Sequence, residues 1–180
     1  MRIARPVAIV LLLFVGLSGT ASALGLYVER LEDTETNTCP VCHRTIVPGV
    51  VHENAEAILT TEFGGALLAR GISFTTDEGE ARYLNVLVYR FQERRGGNFS
   101  VERPASVGYH VHLFGPAGLT KVVVFDETQQ ALSENIFGFF TFLRRGAKWI
   151  TAEALAREGV DKALDDLAED LARAGKTEGQ

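Results

Sequence analysis

Three strand-like runs follow one another between Tyr83 and Phe125, and they limit what the rest of the chain can be. They read YLNVLVYRF, VGYHVHLF and KVVVF. In the first, Leu84, Val86 and Val88 alternate onto one face; Tyr83, Leu87, Tyr89 and Phe91 share the other with Asn85. Two largely apolar faces predict a central strand. Gln92 to Asn98 (QERRGGN) predicts a hairpin connection, with Gly96-Gly97 supplying the positive φ such turns need. In the next run Val107, Tyr109, Val111 and Leu113 face one way, and Gly108, His110, His112 and Phe114 the other. Pro116-Ala117-Gly118 then turns the chain into Thr120 to Phe125.

A sheet with apolar faces needs cover, and helical periodicity lies on both sides of it in sequence. Before it, Ile58, Leu59, Phe63, Ala66 and Leu67 form a stripe over Ala55 to Arg70, with Asn54 as N-cap and Gly71 as the C′ glycine. Gly64-Gly65 inside that helix suggests close packing on the sheet. After it come helices over Ser133 to Arg145 and Thr151 to Ala174. In the last, Leu155, Leu164, Leu167 and Leu171 are core positions, Gly159 is a break, and Asp165, Asp166, Glu169 and Asp170 read as a solvated face. Leu24 to Glu32 and Ile72 to Phe74 add strands. The predicted order is β-α-β-β-β-β-α-α: an α+β fold, mainly antiparallel, with helices packed on one face and the other face available.

The N-terminus predicts export. Arg2 and Arg5 precede an apolar stretch from Val7 to Leu17, and Ala21-Ser22-Ala23 is an A-x-A cleavage signature. Residues 1–23 therefore read as a signal peptide, 24–54 as a first strand and cysteine-containing loop, 55–174 as the α+β domain, and 175–180 as a disordered tail. The expected location is periplasmic, with membrane association if the signal stays uncleaved. A lipoprotein would carry Cys directly after the cut, but the first cysteine is Cys39. No second apolar run reaches spanning length, so no integral span is expected in the mature chain. The net charge is −5, and losing Arg2 and Arg5 makes it more negative still. That balance opposes a nucleic-acid partner, which needs a basic face.

One motif carries chemistry. Cys39-Pro40-Val41-Cys42-His43 fits C-x-x-C-H, the attachment signature of c-type haem. Two thiols at that spacing can take the porphyrin vinyl groups, and the next histidine can ligate iron. Against it, Met1 is the only methionine, so a Met/His axial pair is unavailable to a mature chain, and a sheet domain follows where small cytochromes use helices. The plainer reading is a Cys39–Cys42 disulfide in an oxidising compartment. A thiol-disulfide redox pair, or a Zn site completed by His43 and His52, stays open. His110 and His112 sit at i and i+2 on one strand face, a weak metal pair with no third ligand near them in sequence; they read as lining the less buried face. Arg90, Arg94, Arg95 and Arg103 gather positive charge around one hairpin, either a docking patch or a solvated turn.

Tyr89 to Val160, containing YRFQERRGGNFSVERP and FDETQQALSENIFGFFTFLRRGAKWITAEALAREGV, is similar to uncharacterised lipoproteins of Gram-negative envelopes. More distantly, the export signal and the helix-then-meander order resemble the auxiliary lipoproteins of envelope ABC transport and outer-membrane assembly. The closer resemblance covers under half the chain and assigns no function, the distant one rests on architecture alone, and no functional residue is carried over from either. The expectation is an exported, non-enzymatic accessory protein without a cofactor, binding an envelope protein or lipid-like ligand by its open sheet face or an edge. The alternatives are a haem c electron carrier and a thiol-disulfide redox protein.

Overall fold

Alternation does make the two long runs neighbours. In the computed structural model, which describes residues 23–96, 101–129 and 150–177, strand β3 (Tyr83–Gln92) pairs antiparallel with β6 (Ser106–Gly115), and β6 with β7 (Gly118–Thr128). On the other side β3 pairs parallel with β1 (Leu24–Arg30), which pairs parallel with the two-residue β2 (Phe74–Thr75). The five-stranded order is β2-β1-β3-β6-β7, so β3 is central as its two apolar faces require. The sheet is mixed, because α1 (Ala55–Ala69) lies between β1 and β2 and returns the chain in the same direction. A small ladder, β4 (Arg95–Gly96) with β5 (Val101–Arg103), extends the predicted hairpin. The predicted helix over Ser133 to Arg145, the signal segment and the end of the tail lie outside the described residues.

Helices α1 and α2 (Ala152–Thr177) cover one face. The core there joins Leu59, Phe63 and Leu67 to Leu84, Val86, Val88, Val111 and Leu113, and to Leu155, Leu164 and Leu167. Thr151 caps α2 through its hydroxyl on the Ala154 N–H at 3.1 Å, and Gly71 at φ 73° follows α1. Asn54 makes no side-chain cap. Among the described residues no helix is long and apolar enough to cross a membrane.

Three local expectations change. Gly159 does not break the last helix, which runs through it. A Cβ there would come within 2.4 Å of the Tyr109 hydroxyl and 2.6 Å of Phe125, so glycine lets α2 lie close on the sheet. Gly64 similarly faces Phe74, but Gly65 faces nothing. The acidic face of α2 is solvated at Asp165, Asp166 and Glu169, as read; Asp165 also pairs with Arg70 at 2.8 Å, and the part-buried Asp170 with Lys121 at 2.8 Å. Finally, the β3–β6 register shifts between Val88 and Arg90. Phe91 therefore leaves the face of Tyr89 and enters the helix-side core opposite Val107.

The largest difference concerns the sheet's second face. It is not open over β3 and β6. The chain from Leu31 to Val51 crosses it and buries Leu31, Cys39 and Ile46 against Leu87 and Tyr89. The loop starts from β1, with the Leu31 N–H on the Val88 carbonyl. It then returns to β3, where Gly49 and His52 donate to the Tyr89 and Phe91 carbonyls.

Candidate metal centre

The tip of this loop is a tight hairpin. Thr38 and Thr45 bridge antiparallel, the Cys39 N–H bonds the Arg44 carbonyl at 2.9 Å, and the His43 N–H returns to the Cys39 carbonyl at 3.0 Å. Closing so small a turn requires one residue in the left-handed region, and His43 supplies it at φ 58°. The backbone N–H groups of Cys42 and Val41 oppose the rise that burial causes at the Cys39 thiol. The C-x-x-C spacing thus folds both thiols inward while the His43 side chain remains exposed.

Beneath the hairpin the sheet presents His110 and His112. Both face the loop because their i, i+2 spacing keeps them on the side opposite Val111, and both are fully buried. Cys39 Sγ lies 3.4 Å from His112 Nε2, and Cys42 Sγ lies 3.4 Å from His110 Nδ1. The four donor atoms all lie within 4.8 Å of one another. With metal–sulfur bonds of about 2.3 Å and metal–nitrogen bonds of about 2.05 Å, a tetrahedral centre has a sulfur–nitrogen edge of roughly 3.6 Å. Both contacts are close to that edge.

Burial opposes charge on Cys39 and on both imidazoles. Burial raises the Cys39 thiol above its usual range and outweighs the backbone N–H groups, whereas a reactive cysteine needs a lowered value. Burial, followed by His112 and Arg44, lowers His110 to about 4; burial also lowers His112. Both imidazoles are therefore neutral at neutral pH and keep a lone pair to donate. Cys39 is fully buried and Cys42 partly so. A cleft of about 500 Å³, lined in part by Glu29, Glu32, Asp33 and His43, reaches Cys39 from solvent.

The residues singled out in the sequence are thus regrouped. Cys39 and Cys42 are free thiols, each against an imidazole, and no disulfide joins them. The ligand set with His43 and His52 is not assembled: both are exposed, and His52 Nδ1 accepts the Asn54 N–H. His110 and His112, far from lining a less buried face, complete the cysteine pair from 68 and 73 residues downstream. The signal was there in part, since two histidines in an otherwise apolar strand are costly to bury without partners. The arginine group is divided: Arg95 and Arg103 face each other across the β4–β5 ladder, while Arg90 is held on β3. Arg90 pairs with Asp126 and bonds the Val47 carbonyl, Arg95 pairs with Glu102 at 3.5 Å, and Arg103 is exposed on β5.

No protein-family model matches the chain, and no curated protein matches it. Solved structures do. A dodecameric PelC variant from Paraburkholderia phytofirmans aligns at TM-score 0.47 and 12% identity, over 80% of this chain and 88% of that one. A DUF330 protein from Xanthomonas campestris aligns at TM-score 0.45 and 13% identity, over 83% and 89%. A minor lipoprotein from Acinetobacter baumannii aligns at TM-score 0.37 and 10% identity, over 81% and 91%. No residue or role is carried over from these likenesses.

Proposed function

We propose that this chain is an exported accessory protein of the bacterial envelope that acts by binding rather than by turnover, and that Cys39, Cys42, His110 and His112 form a metal-binding centre fastening its loop to its sheet. The observation that carries the metal reading is the convergence of two thiols and two imidazoles, from segments far apart in sequence, within 4.8 Å. The four residues could together supply every position of a tetrahedral site. That is the arrangement of a structural site, because catalytic metal sites keep a position for water or substrate. Export rests on the n-region, apolar stretch and A-x-A of residues 1–23.

The test is to express the chain with its signal in a haem-maturing periplasm and determine intact mass and metal content. The reading expects a chain starting at Leu24, about one equivalent of metal, and none in a Cys39→Ser, Cys42→Ser double variant. A covalent adduct of haem mass, a stable Cys39–Cys42 disulfide without metal, or hydrolase or oxidoreductase turnover would overturn it.

A further inference from the structure

The imidazole of His112 has a second partner beyond the thiols. We propose that Glu29 and Asn85 are positioning residues that fix His112 as an Nε2 donor, and that the ion they serve is Zn2+. The inference rests on the metal-binding reading above and adds the ion, the donor atoms and the supporting residues.

The tautomer follows from a chain of forced donors and acceptors across three adjacent strands. The Asn85 amide nitrogen donates to Glu29 Oε1 at 2.8 Å, and Asn85 Oδ1 lies 3.0 Å from His112 Nδ1. An ionised carboxylate can only accept, so the amide nitrogen must face Glu29 and the amide oxygen must face His112. That oxygen can only accept in turn, so Nδ1 carries the imidazole proton. Nε2 is left with its lone pair, aimed at the Cys39 side. The register allows this order, because Asn85 on β3 lies directly opposite His112, and Glu29 on β1 is the diagonal neighbour of Asn85, two residues along from its paired residue Tyr27 and on the same face. Such outer partners set ring orientation and raise ligand basicity. His110 differs: its Nδ1 faces Cys42 and its buried Nε2 has no hydrogen-bond partner among the described residues. The two histidines are thus unequal, one braced and one not.

Charge and donor type select the ion. Two thiolates and two neutral imidazoles offset the charge of a dication. An uncompensated buried charge is strongly disfavoured. Sulfur with imidazole suits Zn2+, and the four converging donors include no oxygen of the kind Mg2+ or Ca2+ prefers. Binding replaces two S–H bonds with two metal–sulfur bonds and releases both protons to solvent, with no change of oxidation state.

The experiment uses the full exported chain, reduced and metal-free. Zn2+ affinity is measured by competition with a chromophoric chelator for the wild type, Asn85→Ala and Glu29→Ala. Co2+ substitution reports coordination, and ¹⁵N-histidine NMR of the Zn2+-loaded wild type reports the tautomer. Expected are a tetrahedral thiolate–imidazole Co2+ spectrum, His112 bound through Nε2 with Nδ1 protonated, and Zn2+ affinity weakened about 10- to 100-fold in Asn85→Ala. The NMR arm stands even where a variant fails to fold. A wild type that binds neither Zn2+ nor Co2+ overturns the metal reading itself. Zn2+ binding with His112 ligated through Nδ1, or with Asn85→Ala at wild-type affinity, overturns the relay alone. Preference for Cu+ over Zn2+ at equal free concentration overturns the choice of ion.

Discussion

At the scale of single residues, the motif CPVCH divides into parts with different duties. Cys39 and Cys42 point inward, and His43 occupies the left-handed turn position that closes the hairpin. The haem reading and the metal reading therefore part at His43. His43→Gly is expected to keep full metal binding and to leave stability unchanged, or higher by up to about 1 kcal/mol, because glycine takes that φ without steric cost. Equilibrium denaturation and metal content check both halves; loss of metal in His43→Gly would make the histidine a ligand. Two glycines make a sharper pair. Gly159→Ala places a methyl group against Tyr109 and Phe125 and should cost about 1–3 kcal/mol, whereas Gly65→Ala meets nothing and should stabilise α1 by up to about 1 kcal/mol. Urea midpoints of the two variants, moving in opposite directions, are the measurement.

At the scale of elements, α1 and α2 are joined across the helix layer by Arg157 with Glu62 and by Arg70 with Asp161 and Asp165. The hydrogen bond from Arg157, helped by its charge and opposed by burial, holds the Glu62 carboxyl below its usual range. A lowered folded-state value means that the pair contributes above the unfolded value of about 4.3. Its contribution is lost as pH falls below that point toward the folded value. Glu62→Gln lacks this ionic contribution, so its stability should fall less steeply than wild type below about pH 4.3. Urea unfolding between pH 6 and pH 3, with chelator in both samples to remove any metal, reads the difference. Equal slopes would show that the pair is solvent-screened to nothing, the usual outcome for exposed pairs.

At the scale of the whole molecule, the two faces of the sheet are covered by different means. The helix side has a broad apolar core, while the loop side has Leu31, Cys39 and Ile46 against Leu87 and Tyr89. So few apolar contacts are a weak hold for a segment without regular secondary structure, and the proposed metal cross-link would supply the missing constraint. Stripping the metal should speed amide exchange in peptides spanning residues 31–51, while residues 83–91 keep their protection. Hydrogen-exchange mass spectrometry with and without chelator decides it. Unchanged exchange in the loop would mean that apolar contacts hold it unaided.

Much of this architecture was legible because its causes are local. Period-two alternation marks β3 and β6, a three-to-four-residue stripe marks α1, and Thr151 and Gly71 mark helix ends, all through interactions within a few residues. Gly159 and Phe91 were misread because their meaning lies in what approaches them: an aromatic pair under the helix, and a register shift in the neighbouring strand. The centre was half legible for the same reason. The sequence alone determined a C-x-x-C turn and a histidine pair sharing one strand face, read there as the less buried face. Only strand pairing, and the return of the Cys loop over β3, decided that they meet, because contacts across 68 and 73 residues leave no periodic trace along the chain.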